Sequence, residues 1–144
     1  MSHTREMLDA MPSREALGVA EVGAAIDACA DAADVCTMCA DASVAEEDVA
    51  ALRDCIHLSL DCADLCETTA RVLSRRTRYD GTLIYRLVHA CVRACATCAD
   101  ECARHAAHHD HCRICAEVCR VCERACQAVL DAEALEALRP LAGA

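Results

Sequence analysis

Apolar positions along the chain recur at steps of three and four, and no stretch alternates apolar with polar residues over a useful length. The pattern predicts helices and no strands. Pro12 and Ser13 open a first long helix over 13–42, with Gly18 and Gly23 loosening its early turns. A short helical turn over 4–10 precedes it. Ser43 and Glu46 have capping-box spacing, and Glu47 and Asp48 add negative charge at a positive helix start. They begin a second helix over 44–76, whose last turns carry Arg71, Arg75 and Arg76. Asp80 and Gly81 make a turn, Thr82 caps a third helix over 82–107, and Asp110 caps a fourth over 111–138, stopped by Pro140. Four helices with short connections give an all-α fold, an antiparallel up-down-up-down four-helix bundle, and 144 residues suit a single domain over 1–144. An open helical hairpin pair that dimerises is the alternative.

Composition changes this picture at the core. There is no Phe or Trp and only two Tyr, while Cys supplies 15 of the 144 positions. A secreted disulfide scaffold is disfavoured: the count is odd, and charges at Arg5, Glu6, Asp9, Arg14, Glu15 and Glu21 break any leader-like apolar run. A reducing compartment is expected, hence a cytoplasmic protein whose cysteines stay free and whose thiol clusters signify metal. The formal net charge of −10, with no Lys, excludes nucleic acid and anionic membrane surfaces as partners and suits a cation. No apolar run approaches the ~20 residues needed to span a bilayer.

The cysteines sort onto the four helices as Cys29, Cys36 and Cys39; Cys55, Cys62 and Cys66; Cys91, Cys95, Cys98 and Cys102; and Cys112, Cys115, Cys119, Cys122 and Cys126. Every step within a helix is three, four or seven. At about 100° per residue each set stays within an arc of roughly 40 to 80°, so all face one seam. At ~1.5 Å rise per residue the sets span roughly 15, 16, 16 and 21 Å and line up at matching heights. Beyond one end, Val22, Ile26, Leu73, Ile84, Leu87 and Leu130 predict an aliphatic plug. At the other end His105, His108, His109 and His111 cluster, with Asp48 nearby. His105 and His109 continue the third helix's seam beyond Cys102 and are the candidate ligands or shuttles of a polar mouth. His108 and His111 divide evenly between solvated loop and ligand, whereas His57, His89 and Met38 fall off the seam.

One buried cysteine is ordinarily a small apolar side chain, but fifteen on one axis are not explained by packing, because thiols fill volume poorly and invite oxidation. Cu(I) is soft, prefers thiolates and accepts two or three of them. With bridging thiolates, about one Cu(I) per thiolate leaves the core nearly neutral. Zinc wants four ligands and leaves excess negative charge in a dry core. The expected function is therefore storage of multiple Cu(I) ions without catalysis. An iron-sulfur or redox electron-transfer protein and a zinc or heavy-metal buffer are the alternatives, and a bundle with a merely thiol-rich core is the structural one.

The runs Cys91-x3-Cys95-x2-Cys98-x3-Cys102 and Cys112-x2-Cys115-x3-Cys119-x2-Cys122-x3-Cys126, with Cys36-x2-Cys39 and Cys62-x3-Cys66, resemble the four-helix-bundle copper storage proteins over nearly the whole chain. The resemblance implies a homo-oligomer, a tetramer of bundles, with Cu(I) bridged along each axis and admitted at a mouth that can carry His. It also implies the cytosolic branch of the family. Ala32, Ala33, Leu58 and Ser59 stand where further ligands could sit. Copper is expected to arrive from a chaperone or a small thiol.

Overall fold

The structure, a computed structural model, describes residues 2–12, 18–78 and 80–137. Its elements are α1 (Thr4–Ala10), α2 (Val19–Val44), a 3-10 turn (Val49–Leu52), α3 (Arg53–Leu73), α4 (Gly81–His105) and α5 (Asp110–Ala137). α2 packs on α3 and α5, and α4 packs on the same two, so the four long helices close a ring around one axis. Sulfur contacts fix the directions. Cys29 meets Cys126 while Cys36 meets Cys119, so α2 and α5 are antiparallel. Cys66 meets Cys91 while Cys55 meets Cys102, so α3 and α4 are antiparallel as well. The short helix α1 lies outside the ring against α2.

Several boundaries differ from those expected, each for a local reason. The opening at 13 falls on residues 13–17 and the stop at Pro140 on residues 138–144, all outside the described residues. The described helix begins at Val19 behind Gly18, whose φ of 56° favours glycine. Ser43 and Glu46 do not form a capping box. Ser43 lies four residues past Cys39 on the same seam, so burying it carries α2 on to Val44. The chain then turns through residues 45–48 and the 3-10 turn, and α3 starts at Arg53 instead of 44. It ends at Leu73, which leaves only Arg71 of the three arginines in its last turn. At α4 the cap is Asp80, not Thr82: its carboxylate accepts from the Leu83 backbone N–H at 3.1 Å.

The core has two parts along its axis. At one end Val22, Ile26, Leu73, Ile84, Val88, Val129 and Leu130 are buried. Val88 takes the place expected of Leu87, which is only half-buried, because Val88 lies three residues before Cys91. The rest of the axis is filled by thiols, by small residues such as Ala25, Ala32, Ser59 and Ala99, and, three residues before Cys55, by Leu52, all fully buried. Small side chains let the helices approach closely enough for sulfur to meet sulfur across the bundle.

Candidate metal centre

All fifteen cysteines are free thiols and all are buried. Because each helix contributes its cysteines from one face, the sulfurs form a continuous lattice. Near the aliphatic end, Cys29 lies 3.5 Å from both Cys122 and Cys126, and Cys66 lies 3.8 Å from Cys91. In the middle, Cys62 contacts Cys66 and Cys95 at 3.8 Å, and Cys36 contacts Cys119 at 3.4 Å and Cys115 at 3.7 Å. Towards the other end, Cys55 lies 3.3 Å from Cys102 and 3.9 Å from Cys112. Ser59 adds a hydroxyl 3.6 Å from Cys98, on the seam where another thiol would fit.

This spacing has direct chemical meaning. A disulfide would hold two sulfurs at about 2.05 Å, far inside every separation seen. With metal–sulfur bonds of about 2.3 Å, three sulfurs around one ion stand about 4.0 Å apart and four stand about 3.8 Å apart. Groups whose sulfurs lie within 4.8 Å of one another include Cys29, Cys66, Cys91 and Cys122; Cys36, Cys98, Cys115 and Cys119; and Cys62, Cys66 and Cys95. Cys66 belongs to two of these groups; nearer the mouth Cys39 joins Cys102 and Cys115 in one further group and His111 and Cys112 in another, so Cys115 is shared as well. Shared membership is the geometry of bridging.

The thiols are electrostatically unequal. Cys36 is held far above the ordinary thiol range by its hydrogen bonds with Cys115 and Cys119, with burial acting the same way. Cys112 is pushed up first by burial and then by the neighbouring Cys39 and Cys55. Cys62 is pulled down, chiefly by hydrogen bonds with Cys119 and Cys36. The physical content is a network in which any thiolate is held by neighbours that keep their protons, since the core cannot accumulate bare negative charge.

At the mouth the ring that meets sulfur is that of His111, whose Nδ1 lies 3.5 Å from both Cys39 and Cys112. Its Nε2 lies 3.0 Å from Glu46, the carboxylate-backed arrangement that orients a ligating imidazole. Burial opposes charge on His111, but its bonds to Cys39 and Glu46 outweigh that and raise its pKa. Sequence reasoning left His111 undecided, although it stands four residues before Cys115 and eight before Cys119, a helical spacing that marks it. His109 lies 3.0 Å from Asp48 and 3.3 Å from Glu46, and its ring stacks 5.3 Å from that of His111. The His109 bond also draws Asp48 below its ordinary carboxylate range. His105 pairs with Glu101 at 3.0 Å. His108, His57 and Met38 are exposed, as is His89 beside Tyr85.

A helical bundle whose axis is a lattice of reduced, shareable thiols defines a protein built to hold several soft metal ions. A family profile described as copper storage protein matches residues 19–131, and the chain belongs to that family. Among solved structures it is similar to the copper storage protein Ccsp of Streptomyces lividans loaded with 10 copper equivalents, at 45% identity over 90% of this chain and 98% of that one, with a TM-score of 0.88. A structure described as copper loading to a cytosolic copper storage protein of the same organism, with five coppers, matches at 45% identity over 89% and 95%, with a TM-score of 0.75. A Ccsp mutant with two histidines replaced by alanine matches at 46% identity over 81% and 98%, with a TM-score of 0.80. No curated protein sequence matches the chain at a significant level. No described helix is long and apolar enough to cross a membrane.

Proposed function

We propose that this chain stores copper as multiple Cu(I) ions held by Cys29, Cys36, Cys39, Cys55, Cys62, Cys66, Cys91, Cys95, Cys98, Cys102, Cys112, Cys115, Cys119, Cys122 and Cys126, in the cytosol and without catalysis. The observation that carries this reading is the continuity of the sulfur lattice, in which Cys39 and Cys66 each belong to two candidate groups. The spacing suits three- or four-coordinate metal, and charge selects between them. Monovalent ions at about one per thiolate neutralise a buried array, whereas tetrathiolate zinc leaves it strongly negative.

His111, His109 and His105 receive copper at the mouth from a chaperone or small thiol, and the ions pass inward by exchange between neighbouring sulfurs. The proximity of His111 to Cys39 and Cys112 supports this route, as do the carboxylates beside all three rings. The whole chain acts as one domain, and bundles assemble into a homotetramer. Light scattering would test the assembly, and a monomer would end that part of the reading. The central experiment is an anaerobic Cu(I) titration followed by metal analysis of the folded protein. Saturation near one ion per thiolate is expected. Saturation at one or two ions would overturn storage, and equal capacity for Zn²⁺ would favour a general thiolate buffer.

A further inference from the structure

Three donors suited to soft metal stand outside the thiol lattice. His3, Met7 and Met11 recur at every fourth residue, which keeps them within about 80° on one face at ~100° per residue. His3 and Met11 flank α1 and Met7 lies within it. All three line one cavity of about 400 Å³, together with Leu8, Ile26 and Ser74.

The helix that carries them is pinned without His3 or Met7, while Met11 is partly buried against the core. Leu8 is buried, and Ser2 and Thr4 donate to the Asp27 carboxylate at 2.6 and 2.5 Å. Met7, by contrast, is 62% exposed, so packing gives no reason for a long apolar side chain at that position. Thioether sulfur is a soft donor that selects Cu(I), and imidazole is a compatible partner. His3 Nδ1 lies 2.9 Å from Glu6 Oε2 in an exposed pair; with Nδ1–H donated to that carboxylate, Nε2 carries the lone pair a metal would use.

We propose that His3, Met7 and Met11 form a second Cu(I) site, a solvent-facing site of two thioethers and one imidazole at the aliphatic end of the bundle, remote from the histidine mouth. It rests on the copper reading only for the choice of metal. Its chemistry differs from that of the core, because thioethers and a neutral imidazole lose no proton on binding. It holds one ion where solvent and a donor molecule can reach it, outside the store.

The test uses the full chain with ¹³C-labelled methionine methyls, first loaded with Cu(I) until the ultraviolet thiolate-to-copper absorption stops rising. Further Cu(I), supplied from a buffer of excess chelator, is expected to shift the Met7 and Met11 methyl resonances, which Met7→Leu and Met11→Leu assign. Met38, 69% exposed on α2, is the internal control and should stay in place. The double leucine variant should lose one equivalent of copper with the thiolate absorption unchanged, and Glu6→Ala should weaken the site about tenfold. Stationary Met7 and Met11 methyls, or a Met38 methyl that moves as far as theirs, would overturn the site while the thiolate absorption leaves the core reading standing. An absent thiolate absorption would fall on the core reading alone, since the methyl shifts are read independently of it.

Discussion

The two ends of the bundle are made by the same four helices and put to opposite uses. At one end Leu73, Val88 and Val129 are fully or almost fully buried among other aliphatics, and the seam is closed by hydrophobic packing. At the other, Glu46, Asp48, Glu101, His105, His109 and His111 form a partly exposed polar group over Cys39 and Cys112. The difference separates two jobs that most cores combine. Stability comes from the aliphatic end and from packing around the axis, which leaves the thiols free to be chosen for chemistry.

The sharpest way to break that division is to remove one thiol group from the axis. Changing Cys36, Cys98, Cys115 and Cys119 together to Ala should lower capacity by about four ions, at roughly one ion per thiolate, as read by anaerobic Cu(I) titration. Unchanged capacity would mean that copper binds elsewhere. At the aliphatic end Leu73→Ala should cost roughly 2–5 kcal/mol of apo-protein stability, measured by urea unfolding, with capacity unaltered. A parallel loss of copper sites would show that the two ends are not separable.

Acidity should act on the lattice more than on the aliphatic end. Cys112 and Cys36 have raised pKa values, so they meet copper as neutral thiols and each bound ion displaces a proton. Affinity should therefore fall as pH falls, by up to about tenfold per pH unit for each proton released. Competition titrations at several pH values measure the slope, and a flat profile would contradict thiolate binding. The smallest effect is expected at the mouth. Glu46→Gln weakens the carboxylate support of His109 and His111 but, at a partly exposed site, should change stability by no more than about 1 kcal/mol. Stopped-flow mixing with Cu(I) should show slower uptake at equal capacity.

The bundle and its thiol axis were legible in the sequence because steps of three, four and seven leave a helical face little freedom, and Cys29, Cys66, Cys91 and Cys126 indeed meet at one level. The connection between α2 and α3 was not. Ser43 and Glu46 carry a local capping signal, yet Ser43 is fully buried, with its hydroxyl unpartnered among the described residues. Burial on the seam outweighed the local preference. Glu46 serves instead between His109 and His111, a long-range pairing that no local pattern encodes. His111 was visible as a spacing, but adjacent histidines on the same turn obscured which ring would face sulfur.

The lattice of shared sulfurs also makes the lifetime of the molecule depend on its contents. A ligand that binds only the folded chain stabilises it by about 2.7 kcal/mol at a hundredfold excess over its Kd, and many ions on one axis multiply that bias. Transient opening, the state that proteases attack, should therefore be rarer in a full molecule than in an empty one. Degradation would then remove depleted molecules first and spare loaded ones, so the protein's own turnover becomes a measure of how much metal the cell has put away.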